Sequence, residues 1–122
     1  MKPHILFVDD EAPIREMLSL YFRKQGWDVT AATRSAEAIR LVGENSFNIA
    51  ILDVDIAGEN GLELLTALKS RFPKLPIIIF TGLGADEEIL AKSIALGADG
   101  FMGKTESLHS LFNEVQRIAR PP

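Results

Sequence analysis

About five times along this chain a short apolar run breaks off and an amphipathic stretch follows it, and few folds accept that alternation. The runs are Ile5-Leu6-Phe7-Val8, a weaker one from Val29 to Ala32, Ile49-Ala50-Ile51-Leu52, Ile77-Ile78-Ile79-Phe80 and the short Phe101-Met102. The third is apolar without interruption, as expected of a central parallel strand covered on both faces. Between the runs the spacing becomes helical. Ile14, Met17, Leu18, Tyr21 and Phe22 recur every three or four residues behind Pro13, which a first helical turn tolerates. Ser35 is the expected N-cap of a second helix that turns Ile39 and Val42 inward. Gly58 and Gly61 mark a loop before a third helix carrying Leu64, Leu65 and Leu68. Asp86, Glu87 and Glu88 suit the first turn of a fourth helix. Leu108, Leu111, Phe112, Val115 and Ile118 form the apolar face of a fifth. Gly26 and Gly97 are expected helix stops.

Strand and helix alternating at these lengths predict an α/β fold, a parallel sheet with helices on both faces. In open sheets of this kind, ligands sit outside the carboxyl ends of the strands. Asp9 and Asp10, Asp53, Thr81 and Lys104 fall at or just past the ends of the first, third, fourth and fifth strands. Residues nearly a hundred positions apart should therefore meet on one rim. Singly each has an ordinary explanation: a turn acid, a loop hydroxyl, a solvated lysine, and for Phe101 plain core packing. Their joint placement is what points to a site.

Composition narrows the chemistry. The 122 residues fit one domain, residues 1–122, with no repeat or internal linker. There is no cysteine, which excludes disulfides, thiol catalysis and cysteine-bound zinc. A net charge of −4 argues against direct nucleic-acid binding. No apolar run is long enough for a membrane span, and the N-terminal residues do not read as a signal peptide, so a cytoplasmic location is expected. His4 and His109 have neither metal-ligand spacing nor a strand-end position.

Carboxylates gathered on one rim repel. Two unit charges about 5 Å apart cost about 3 kcal/mol at an effective dielectric of about 20. With a single strand-end lysine and oxygen ligands only, a hard divalent cation is the natural neutraliser, and Mg2+ fits best. Metal, ammonium and hydroxyl around a carboxylate suit phosphoryl transfer, with Asp53 as the nucleophile.

The motifs ILFVDDE at 5–11, ILDVDIAGENGLELL at 51–65, PIIIFTG at 76–82 and ALGADGFMGK at 95–104 together resemble the receiver domain of response regulators, the phospho-acceptor half of two-component signalling. The resemblance covers nearly the whole chain. It implies a flavodoxin-like (βα)5 sheet in the strand order 2-1-3-4-5. It also implies that Asp53 is the phosphorylated residue and that Asp10 (directly), Asp9 (largely through water), Asp53 and the backbone carbonyl of Asp55 hold Mg2+. Lys104 and Thr81 would bind the phosphoryl oxygens, beside the small Gly82. Phe101 would be the aromatic that swings inward with Thr81, altering the surface of the fourth helix, fifth strand and fifth helix. The implied partners are a sensor histidine kinase or a histidine phosphotransfer protein as donor, and an output domain or protein downstream. A phosphorylation-dependent homodimer is also compatible with it. Such a domain catalyses only its own phosphorylation and dephosphorylation.

Two positions depart from the family pattern. Thr105 replaces the usual proline after the lysine, so a trans Lys104–Thr105 bond is expected. Ala57 replaces the usual proline after the acceptor strand and should loosen that loop. Asp55 adds a carboxylate, read as a tuner of metal affinity and phosphoaspartate lifetime. Two rival readings fit parts of the pattern: a receiver-like interaction domain that is never phosphorylated, and a haloacid-dehalogenase-type phosphohydrolase, suggested by Asp53-Val54-Asp55. The latter motif normally opens its chain, whereas here it stands at mid-sequence.

Overall fold

In the chain, a computed structural model describing residues 2–82 and 86–121, strands and helices alternate as the pattern requires. The order is β1 (His4–Val8), α1 (Ala12–Lys24), β2 (Asp28–Ala32), α2 (Ser35–Glu44), β3 (Ile49–Leu52), the two-residue strands β4 (Asp55–Ile56) and β5 (Glu59–Asn60), α3 (Gly61–Arg71), β6 (Ile77–Thr81), α4 (Glu87–Ala95), β7 (Gly100–Gly103) and α5 (Leu108–Ile118). The main sheet is parallel throughout, in the order β2-β1-β3-β6-β7. With β4 and β5 set aside, this is the expected 2-1-3-4-5.

Side chains alternate across each strand, so the sheet feeds two cores. Leu6, Val8, Ala50, Leu52, Ile77 and Ile79 face α2 and α3, where Ala38, Val42, Leu64, Leu65 and Leu68 close over them. Ile5, Phe7, Ile49, Ile51, Ile78 and Phe80 face α1 and α5, against Leu18, Phe22, Leu111 and Val115. A sheet covered on both faces leaves only its two ends open, and that confines a site to a rim.

Three local features go beyond the linear pattern, and one of them, the cap of α2, corrects it. Met17, one of the five recurring apolar residues of α1, is 44% exposed, at the margin of the stripe formed by Ile14, Leu18, Tyr21 and Phe22. Ser35 is the first residue of α2, not its cap. Arg34 holds the extended cap position, Glu37 Oε1 accepts from the Thr33 amide, and the Ser35 amide donates to Glu59 Oε1 at 2.9 Å. The loop after β3 is a hairpin, with Asp55 opposite Asn60 and Ile56 opposite Glu59. Its turn residues Ala57 and Gly58 have φ of 53° and 81°, the left-handed pair that a two-residue hairpin needs. The loop is thus folded on itself around that turn. The helix stops are as read, with Gly26 and Gly97 at positive φ just past α1 and α4.

Candidate functional site

The backbone ladder runs one residue beyond the strands and thereby sets the site. The Asp9 amide donates to the Ala32 carbonyl and the Asp53 amide to the Val8 carbonyl, both at 3.1 Å, so the two acids emerge side by side. On the other flank the Lys104 amide donates to the Thr81 carbonyl at 2.9 Å, continuing the β6–β7 pairing. Asp9, Asp53 and Thr81 are all buried.

Gly61 shapes the floor of this site. Its amide donates to the Val54 carbonyl at 2.6 Å, and a Cβ added there would collide with the Asp53 carbonyl. Only glycine lets α3 start so close to the residue-53 backbone.

Lys104 crosses the rim to the acids. Its Nζ lies 2.7 Å from Asp53 Oδ2, 2.8 Å from Asp9 Oδ2 and 3.1 Å from Glu11 Oε1. Burial works against a charge on Lys104, but hydrogen bonds to Asp53, Asp9 and Glu11 outweigh it and hold the ammonium above its usual 10.5. Asp9 is shifted the other way: burial raises its carboxyl above 3.8, and the bond to Lys104 and the Glu11 amide only partly offset this. The remaining Asp53 oxygen, Oδ1, accepts from the Val54 amide at 2.7 Å.

Carboxylate oxygens of Asp9, Asp10 and Asp53 lie within 4.8 Å of one another, a spacing that one cation can bridge. Two of these acids are buried and Asp10 is exposed. The donors are all hard oxygens, so the set fits Mg2+. Asp55 stands apart from this cluster, and its carboxylate accepts from the Gly58 amide at 3.2 Å inside the hairpin turn. Phe101 lies two residues below the rim, beside Ile79 on the neighbouring strand, half-buried against the α2/α3 core. Strand alternation puts Thr81 on that same face. The Lys104–Thr105 bond is trans, and no cis bond occurs among the described residues.

Two site residues escaped the sequence reading. Glu11 falls past the strand end, at the cap of α1, where an acid looks unremarkable. Arg15, one turn into α1, donates from Nη1 to the Asp9 carbonyl at 2.8 Å. A helix leaving β1 turns both back over the rim, and strand-end counting is blind to that.

Residues 5–116 match the family model described as response regulator receiver domain. The chain belongs to that family. A receiver domain from Methanospirillum hungatei, described as CheY-like, superimposes with a TM-score of 0.90 at 26% identity, covering 96% of this chain and 93% of that one. The response regulator TrrA of Thermotoga maritima, solved in complex with Mg2+-BeF, gives 0.85 at 29% identity, over 96% and 98%. Among curated proteins, PetR of Rhodobacter capsulatus is 34% identical over 97% of this chain and 49% of its own length. The probable transcriptional regulatory protein TcrX of Mycobacterium tuberculosis is 30% identical over 95% and 49%. This receiver thus spans about half the length of those curated relatives. Membership supports two-component signalling and gives no support to the phosphohydrolase alternative. Among the described residues no helix is long and apolar enough to cross a membrane.

Proposed function

We propose that residues 1–122 form one receiver unit that accepts a phosphoryl group on Asp53 and signals by the resulting change of shape. The observation that carries this reading is Lys104 Nζ within 2.8 Å of both Asp9 and Asp53, beside an acid cluster spaced for one cation. An Asp53 carboxylate oxygen attacks the phosphorus of a phosphohistidine. The O–P bond forms as the P–N bond breaks, and the imidazole nitrogen leaves with the electron pair and picks up a proton. Lys104 neutralises phosphoryl oxygens, and the buried Thr81 hydroxyl binds another. Asp9, Asp10, Asp53 and the Asp55 carbonyl are the ligands assigned to Mg2+, which when bound spreads the charge of the transferring group. The Mg2+-BeF complex of TrrA supports that assignment for this chain.

The added charge, of order −2, draws Thr81 toward it and lets Phe101 follow on their shared face, which alters the α4–β7–α5 surface. The donor is a histidine kinase or histidine phosphotransfer protein, and the reader is an output domain or protein. Any nucleic-acid binding belongs to that output part, because several relatives carry transcriptional names while this chain matches about half of them. The assigned location is the cytoplasm, where two-component donors present their phosphohistidine. The domain signals rather than turning over a substrate. Intact mass after incubation with a small acyl-phosphate donor tests the reading. Wild type should gain one phosphoryl group with Mg2+ and little without it, and Asp53→Asn should gain none. Equal labelling of Asp53→Asn would refute the assignment.

A further inference from the structure

Every donor of the site's ammonium is already engaged. An ammonium has three N–H bonds and no acceptor. Lys104 Nζ faces three carboxylate oxygens, those of Asp53, Asp9 and Glu11, at 2.7, 2.8 and 3.1 Å. A phosphoryl oxygen can reach this nitrogen only by taking the place of one of them.

The three are unequal. The Asp9 and Asp53 side chains are each 6% exposed, and each is further tied by a backbone amide, Glu11 N to Asp9 Oδ1 at 2.9 Å and Val54 N to Asp53 Oδ1 at 2.7 Å. The Glu11 side chain is 57% exposed, makes the longest of the three contacts, and forms no capping bond to α1. On release it is rehydrated, whereas Asp9, freed with no cation to take it up, would stay buried and unpaired. Glu11 is the partner that leaves most cheaply.

We propose that Glu11 is a displaceable counter-ion: it holds Lys104 while the site is empty and competes with an incoming phosphoryl group for the same ammonium. This rests on the phospho-acceptor reading above. Once Asp53 is esterified it loses its own charge and part of its claim on Lys104, and Glu11 then competes with the phosphoryl oxygens for the same ammonium. Its carboxylate therefore opposes both arrival and retention, and sets how readily the receiver loads.

Two variants separate ligation from plain charge. Glu11→Gln removes the charge. Glu11→Asp keeps it but is one methylene short of Lys104. Displacement predicts that both variants bind beryllofluoride with magnesium about two- to five-fold more tightly than wild type, the size expected of a half-exposed ion pair. Both should also load faster from the acyl-phosphate donor. In the chain free of metal and phosphate, both should shift the Lys104 side-chain nitrogen resonance, a signature that a merely structural change at the α1 cap would not give. If Glu11→Asp matches wild type in affinity and resonance, Glu11 acts only through its field and the proposal fails. It fails equally if Glu11→Gln binds no more tightly. A wild type that neither binds beryllofluoride nor gains phosphate overturns the phospho-acceptor reading itself, and this inference with it. A wild type that loads normally beside unchanged Glu11 variants overturns this inference alone.

Discussion

Lys104 places one positive charge between two buried carboxylates, and this sets the site's response to pH. Without it, Asp9 loses the hydrogen bond that restrains its carboxyl, which burial already holds above 3.8. Lys104→Met should therefore raise the Asp9 carboxyl further and cost about 3 kcal/mol at pH 7, as expected when a buried pair loses one member. The sign is fixed by linkage. A carboxyl whose folded value exceeds its unfolded value takes up protons on folding, so its ionisation is a penalty that fades as pH falls through the folded value. The deficit of Lys104→Met relative to wild type should thus shrink between pH 7 and the acid range above 3.8, as urea unfolding at several pH values would report. In wild type, Lys104 acts in the opposite sense: its raised value gives a contribution fully present below 10.5 and lost only as pH rises beyond that. A deficit that grew on acidification would contradict the geometry.

At the scale of elements, the hairpin between β3 and α3 is the departure that matters. Ala57 sits at φ 53°, in a region where a side chain costs about 1–2 kcal/mol. Proline, whose φ is locked near −65°, cannot take that conformation. The absence of the family's usual proline is thus matched to a different local backbone. Ala57→Gly should stabilise the fold by about 0.5–1 kcal/mol, and Ala57→Pro should destabilise it and break the Asp55–Asn60 pairing. Urea midpoints and amide exchange of the hairpin residues measure both, and a neutral Ala57→Pro would mean that the turn is not left-handed in solution. The same hairpin uses the Asp55 carboxylate for the Gly58 amide. Any effect of Asp55 on metal or phosphoaspartate therefore competes with its part in the turn.

Across the whole molecule, charge is separated along the strand axis. Parallel strands put all helix N-termini at the site end and all C-termini at the other. Acids stand in the first turns, Glu37, Glu63, Glu87 and Glu88, and bases in the last, Arg23, Lys24, Lys69, Arg71, Lys92 and Arg117. Each follows its helix dipole, and their sum adds a negative field to the Asp9–Asp10–Asp53 cluster. Divalent-ion affinity should accordingly drop several-fold between about 10 mM and 150 mM monovalent salt, as the screening length shortens from about 30 to 8 Å. Calorimetric titration of Mg2+ at the two salt levels checks this, and equal affinities would show that only the nearest carboxylates matter.

The residue order alone determined the class of fold, the layering and the rim. Apolar runs of strand length mark what both helical layers must cover, and the parallel connection puts every strand end on one side. That is why Asp9, Asp53, Thr81 and Lys104 were legible as neighbours despite their separation in sequence. Tertiary structure decided what strand-end counting cannot see. Glu11 and Arg15 reach the site because α1 folds back over β1, Asp55 is drawn into a hairpin made by a left-handed alanine, and Met17 faces water because the width of the α1 stripe is set by its contact with the sheet. Such features depend on the direction a side chain takes after the chain has turned, and linear spacing carries no record of that direction.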